Sequence, residues 1–185
     1  MTGKSLTRRE FIESTAVAAA VPWATIIPRS VKGANEKIEL GVIGCGSRGR
    51  NALMTDVHRF DIDENVTITA VCDVWNQQRA EAVKMTQDWY GQAAREFVDY
   101  RDVLALPNID AVLIAAPDHL HCTILKAAAL AGKDAYCEKP LARNLEELTA
   151  AVDAVKKNNR IVQVGTQLRS MASFTGCRKA VRDGA

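Results

Sequence analysis

The sequence has no uncharged apolar stretch of the ~18 residues that a bilayer span requires, which excludes a multi-span membrane protein. Glycine and proline are scarce, at eleven and five of 185 residues, so a collagen-like or low-complexity chain is excluded too. The cysteines Cys45, Cys72, Cys122, Cys137 and Cys177 are odd in number and form no C-x-x-C pair. That speaks against a zinc site and against a disulfide framework. Cys45, Cys72 and Cys137 fall in or beside strand-like apolar runs and are expected to be buried, reduced thiols. A dominant charge is missing as well. Residues 1–37 hold six basic residues against three acidic ones, and the rest holds eighteen against nineteen. A body so near neutrality offers no electrostatic footprint for nucleic acid. What remains, 48% hydrophobic and 25% charged residues, is the composition of a globular chain with room for one domain and a short appendage.

Residues 1–34 read as that appendage. A basic start ends in Thr7-Arg8-Arg9-Glu10-Phe11, an apolar stretch follows to Pro28, and Arg29 to Ala34 forms a small-residue exit. This is the plan of a secretory signal. The paired arginines followed by Phe11 resemble a twin-arginine (Tat) signal, which implies the Tat export machinery as a partner and a periplasmic or otherwise exported location. The alternative is an amphipathic helix packed on the domain, which Pro22 and Pro28 would interrupt. Lys32 is a poor fit to cleavage after Ala34, so an uncleaved membrane tether is a second outcome.

Residues 35–169 alternate strand and helix. Strands are expected at 38–43, 66–72, 96–98, 111–116, 135–137 and 161–164, with helices at 46–58, 77–89, 100–106, 119–131 and 145–157. Asn144 and Glu147 stand as in a capping box before the last of these, and Gly132 is a natural helix stop. Near-continuous apolar strands separated by helices imply a doubly wound parallel sheet of α/β, Rossmann type.

Gly44-Cys-Gly46-Ser-Arg-Gly49 follows the first strand and opens a helix. Gly44 permits the sharp turn, Gly46 lets a pyrophosphate approach the backbone, and Gly49 permits close packing. The amides of Ser47 and Arg48 then point at phosphates from a helix N-terminus. Asp73 ends the second strand, where an acid accepts hydrogen bonds from ribose hydroxyls and repels a 2′-phosphate. NAD is the expected cofactor, with NADP possible because Arg79 lies in the following helix. Two further segments, Pro117-Asp-His-Leu-His121 and Glu138-Lys-Pro140, stop the fourth and fifth strands and so face the same crevice.

With Ala131-Gly-Lys133, these motifs resemble the Gfo/Idh/MocA oxidoreductases over residues 38–169. The resemblance implies a nicotinamide-dependent dehydrogenase acting on a sugar or polyol hydroxyl. It places Lys139 between nicotinamide and substrate as the catalytic group, Glu138 on the cofactor ribose, and His121 in the lining of the nicotinamide pocket. Gln167 and Arg169 match positions near the substrate side, whereas His119 and His58 read as surface residues. No metal is implied. The family's second α/β domain has no room here. Residues 170–185 therefore read as the start of a truncated C-terminal region, and the chain as part of a longer parent protein, expected to form a homo-oligomer. Two other readings stay open: an exported redox glycosidase using the same cofactor, and a dinucleotide-binding module without chemistry.

Overall fold

The computed structural model describes residues 37–184, and the leader expected at residues 1–34 lies outside them. Six strands, β1 (Ile38–Ile43), β2 (Val66–Cys72), β3 (Arg95–Phe97), β4 (Ala111–Ile114), β5 (Asp134–Glu138) and β6 (Val162–Gly165), form one sheet in the order β3-β2-β1-β4-β5-β6. Every pairing is parallel. The order reverses between β1 and β4, which creates a crevice at the carboxyl ends of those two strands.

Side chains alternate across the sheet because the strand period is two. Val42, Val71 and Leu113 point to one face, and Ile43, Cys72 and Ile114 to the other. The first face packs against α1 (Thr55–Phe60, preceded by a π-helical Gly49–Met54) and α2 (Asn76–Tyr90), through Leu53, Met54 and Ala82. The second packs against α3 (Tyr100–Leu104), α4 (His121–Leu130) and α5 (Leu145–Lys157), through Val103, Ile124, Leu125 and Ala151. Val42, Ile114 and Ile124 are at most 1% exposed, so each contributes about 1.5–3 kcal/mol by leaving water.

The expected elements are present, with local differences. The first helix is not regular. Its early part carries an i→i+5 ladder, in which the Thr55 amide reaches back to the Arg50 carbonyl. That wider turn sets both Leu53 and Met54 on the buried face with Gly49. The segment before α4 is a 3₁₀ turn, Asp118–Leu120, because Pro117 fixes the entry and Leu120 N bonds back to Pro117 O at 2.8 Å. Asn144 caps α5 by accepting from the Glu147 amide at 2.9 Å. Gly132 follows α4 at φ +75°. The next residue, Lys133, is buried, and its Nζ donates to the carbonyls of Leu106 at 2.7 Å and Ile109 at 2.9 Å. The last helix, α6 (Ala172–Arg182), buries none of its residues. Among the described residues, no helix is long and apolar enough to cross a membrane.

Candidate dinucleotide-binding site

The glycine loop is built by close contact. Gly44 sits at φ +95°, and a Cβ there would lie 2.5 Å from the Ala115 carbonyl carbon at the end of β4. Only glycine meets both conditions. A Cβ on Gly49 would lie 2.0 Å from the Gly44 carbonyl oxygen. The close approach expected of Gly49 is therefore made to the loop itself rather than to the body of the sheet. Gly46 differs, since a Cβ there would meet nothing within 4 Å. The space above it is open, as an approaching diphosphate requires. The first intrahelical bond runs from the Arg50 amide to the Gly46 carbonyl at 2.9 Å. Ser47, Arg48 and Gly49 thus present first-turn amides without intrahelical acceptors.

Asp73 ties the loop to β2. Its Oδ2 accepts from the Cys45 amide at 2.8 Å and its Oδ1 from the Trp75 amide at 2.9 Å. A carboxylate offers about four acceptor positions, so two hydrogen bonds leave capacity for ribose hydroxyls. Arg79 does not reach across the site. Its Nη1 donates to the Asp73 carbonyl at 2.8 Å, and its Nε faces Glu96 at 3.5 Å. The thiols of Cys45, in the loop, and Cys72, at the end of β2, are buried, and burial pushes both up to about 12, with the Asp73 carboxylate adding to the shift. They are packing groups rather than nucleophiles at neutral pH.

Beyond the loop lies a cavity of about 370 Å³ lined by Arg48, Ala116, Asp118, His121, Lys139 and Gln167, with Glu138 at its wall. These residues come from the carboxyl ends of four strands. The structure therefore brings the Pro117 and Glu138-Lys-Pro140 segments to the same crevice as the glycine loop. Lys139 is exposed into this space, and the Lys139–Pro140 peptide is cis. Glu138 is 4% exposed and acts as a hub. Its Oε1 accepts from Arg48 Nε at 2.7 Å, Arg48 Nη2 at 2.6 Å and Gln167 Nε2 at 2.7 Å. Its Oε2 takes a longer contact, 3.3 Å, from the Lys139 amide. The carboxylate raises the Arg48 guanidinium further above its ordinary value. Tyr136, two residues before Glu138 on the same strand face, accepts from Gln167 Nε2 through its hydroxyl at 2.6 Å.

His121 is 1% exposed, and its ring sits between two loops. Nδ1 lies 2.7 Å from the Pro140 carbonyl and Nε2 lies 2.8 Å from the Ala116 carbonyl. It borders the cavity and braces the Lys139-Pro140 segment against the end of β4. Pro117 and Ser47 are exposed, Pro117 as the entry to the 3₁₀ turn and Ser47 with its Oγ accepting from Asn51 at 3.2 Å. Arg169 and His119 are exposed and do not line the cavity. His58 stands apart, paired with Asp61 at 2.6 Å and stacked on Trp89.

The glycine-loop spacing points to the backbone of Arg48 alone, and the strand pattern gives Tyr136 no role. The period-two placement of Tyr136 and Glu138 was a usable signal for the second. The Arg48–Glu138 pair spans 90 residues of sequence and carries no local signal. Among the described residues no group of three His, Cys, Asp or Glu is placed to hold a metal ion.

The oxidoreductase family with an NAD-binding Rossmann fold, Gfo/Idh/MocA, matches residues 38–166. The inositol 2-dehydrogenase/D-chiro-inositol 3-dehydrogenase of Lactiplantibacillus plantarum is 32% identical over 148 residues, covering 79% of this chain and 40% of that protein. A glycosyl hydrolase family 109 protein of Shewanella amazonensis is 35% identical over 129 residues, covering 67% of this chain and 27% of that one. Among solved structures, the WlbA dehydrogenase of Bordetella pertussis in complex with NADH and UDP-GlcNAcA superposes with a TM-score of 0.70 at 28% identity, over 80% of this chain and 43% of that chain. The chain thus spans about two fifths of the length of the inositol dehydrogenase and of WlbA. With the family match covering the whole sheet and the glycine loop, the chain belongs to the Gfo/Idh/MocA oxidoreductases and carries their NAD-binding Rossmann domain.

Proposed function

We propose that this chain supplies the cofactor-binding half of an exported dehydrogenase that moves hydride between a sugar or polyol hydroxyl and NAD. The observation that carries this reading is the exposed Lys139 in a cavity continuous with the crevice of the glycine loop. The residues fit a dinucleotide. Gly46 leaves open space, the first-turn amides that follow it have no intrahelical acceptor, and Asp73 and Glu138 Oε2 keep acceptor capacity for two riboses.

When bound, a nicotinamide ring would accept the hydride of the substrate carbon. Lys139 Nζ polarises the hydroxyl oxygen and relays its proton as the carbonyl forms. Glu138, held in place by Arg48 and Gln167, receives a ribose hydroxyl and so fixes the reacting face. His121 braces Pro140 and with it the aim of Lys139. Asp73 favours NAD because its charge would repel a 2′-phosphate.

The test is turnover on a panel of sugars and polyols, in the longer protein expected from the sequence. Lys139→Ala should lower turnover by roughly 100- to 10,000-fold and leave NAD affinity nearly unchanged. Lys139→Arg should restore little, because a guanidinium does not relay a proton near neutral pH. Undiminished turnover in Lys139→Ala would remove the residue from the mechanism. The family 109 relative favours one alternative, a redox glycosidase, and release of sugar from a glycoside without net NADH would select it. Export rests on Arg8 and Arg9. Lysine at both positions should stop Tat-dependent transport of a fused reporter, and continued transport by that route would refute the assignment.

A further inference from the structure

One face of the sheet is only partly covered. Beside α1, Leu40, Leu53, Val57, Leu113 and Tyr136 line an apolar groove of about 420 Å³. It runs from Arg48 and Gln167, at the carboxyl ends of the strands, to Ile38 and Glu64 at the opposite end. At that far end Ile38 is 41% and Phe60 is 60% exposed. The molecule also has a helix that, among the described residues, is exposed all round. All residues of α6 are exposed, among them Phe174 at 51% and Val181 at 73%. Phe174, Cys177 and Val181 stand at i, i+3 and i+7, which puts them on one stripe.

We propose that α6 is the occupant of this groove, folding back as a strap over the open face of the sheet. The position of its tether fits, since Gln167 already lines the groove and only Leu168–Met171 separates it from the first residue of α6. Direction fits as well, because the groove leads from Gln167, just past the carboxyl end of β6, toward Glu64. Length agrees: eleven helical residues span about 16 Å, and the six residues of β1 span about 20 Å. Charge is complementary too. Arg178 and Arg182, in the second half of the helix, would arrive where Asp56 and Glu64 border the groove. A four-residue tether gives the chain's own helix a high effective concentration over a helix from a second copy. Seating the strap would also fix Gln167, whose amide holds Glu138.

Cys177 reports the docking directly. It is the exposed thiol of the chain, the other four being buried. In the full chain, the reaction of Cys177 with a disulfide reagent should be at least about tenfold slower than in Phe174→Asp, which removes the anchor from an exposed helix without touching the core. Val57→Asp, on the groove side, should release the thiol to the same degree. Equal rates in the wild type and both variants would overturn the proposal. Protection that appears only as protein concentration rises would also overturn it, in favour of helix exchange between two copies.

Discussion

At the scale of single residues, the loop glycines serve different demands, and substitution separates them. Gly49 has no room for a side chain, since its Cβ would strike the Gly44 carbonyl oxygen. Gly49→Ala should therefore cost about 1–3 kcal/mol of stability, read as a lower denaturant midpoint, in addition to any loss of cofactor. Gly46 has room, so its substitution should leave the midpoint nearly unchanged and act on ligand alone. A stable Gly49→Ala would contradict the packing account. The loop's turn, its close approach and its acid at Asp73 were legible from spacing. That Asp73 also holds the Cys45 amide was not, because that bond joins residues 28 apart.

At the scale of elements, the sequence pattern places the six strands and the five helices that cover them to within a few residues, and the reasons are visible in the packing. Near-continuous apolar runs became strands buried on both faces, successive residues pointing to opposite sides, and the Asn144 cap started α5 where the residue types placed it. The π-helical turn before α1 was not legible. It follows from how Leu53 and Met54 meet a core assembled from distant strands. Lys133 shows how a motif residue can be structural. Its ammonium holds two carbonyls of the segment that leads into β4, and so fixes the start of the strand that ends at Pro117. Lys133→Met would keep the stem and strip both carbonyls of their donor. A loss of about 1–3 kcal/mol is expected, because a buried acceptor left unpaired bears its desolvation cost. A neutral effect by chemical denaturation would contradict this role.

At the scale of the whole molecule, burial of the thiols links stability to pH. Cys45, Cys72 and Cys137 are pushed up to about 12, chiefly by burial, from an ordinary value near 9. Between pH 9 and 12 the unfolded chain therefore binds fewer protons than the folded one at these sites, and stability falls as pH rises. The slope is about 1.4 kcal/mol per pH unit for each thiol. Tyr90, also raised to about 12, joins above pH 10. Urea midpoints should be level near pH 8 and drop steeply by pH 10.5, and a flat profile would contradict the buried-thiol core.

The whole-molecule claim, that the switch between β1 and β4 is a dinucleotide site with a preference for NAD, has a direct measurement. Isothermal titration of the full chain with NAD and with NADP reads it without need of turnover. The account predicts saturable binding of NAD, weaker binding of NADP, and a narrowed gap in Asp73→Ser, where the charge that repels a 2′-phosphate is gone. It also predicts that Gly46→Val abolishes binding of both while the fold persists, because the branched side chain would occupy the open space above residue 46. NAD binding that survives unchanged in Gly46→Val, or NADP binding tighter than NAD in the wild type, would contradict it.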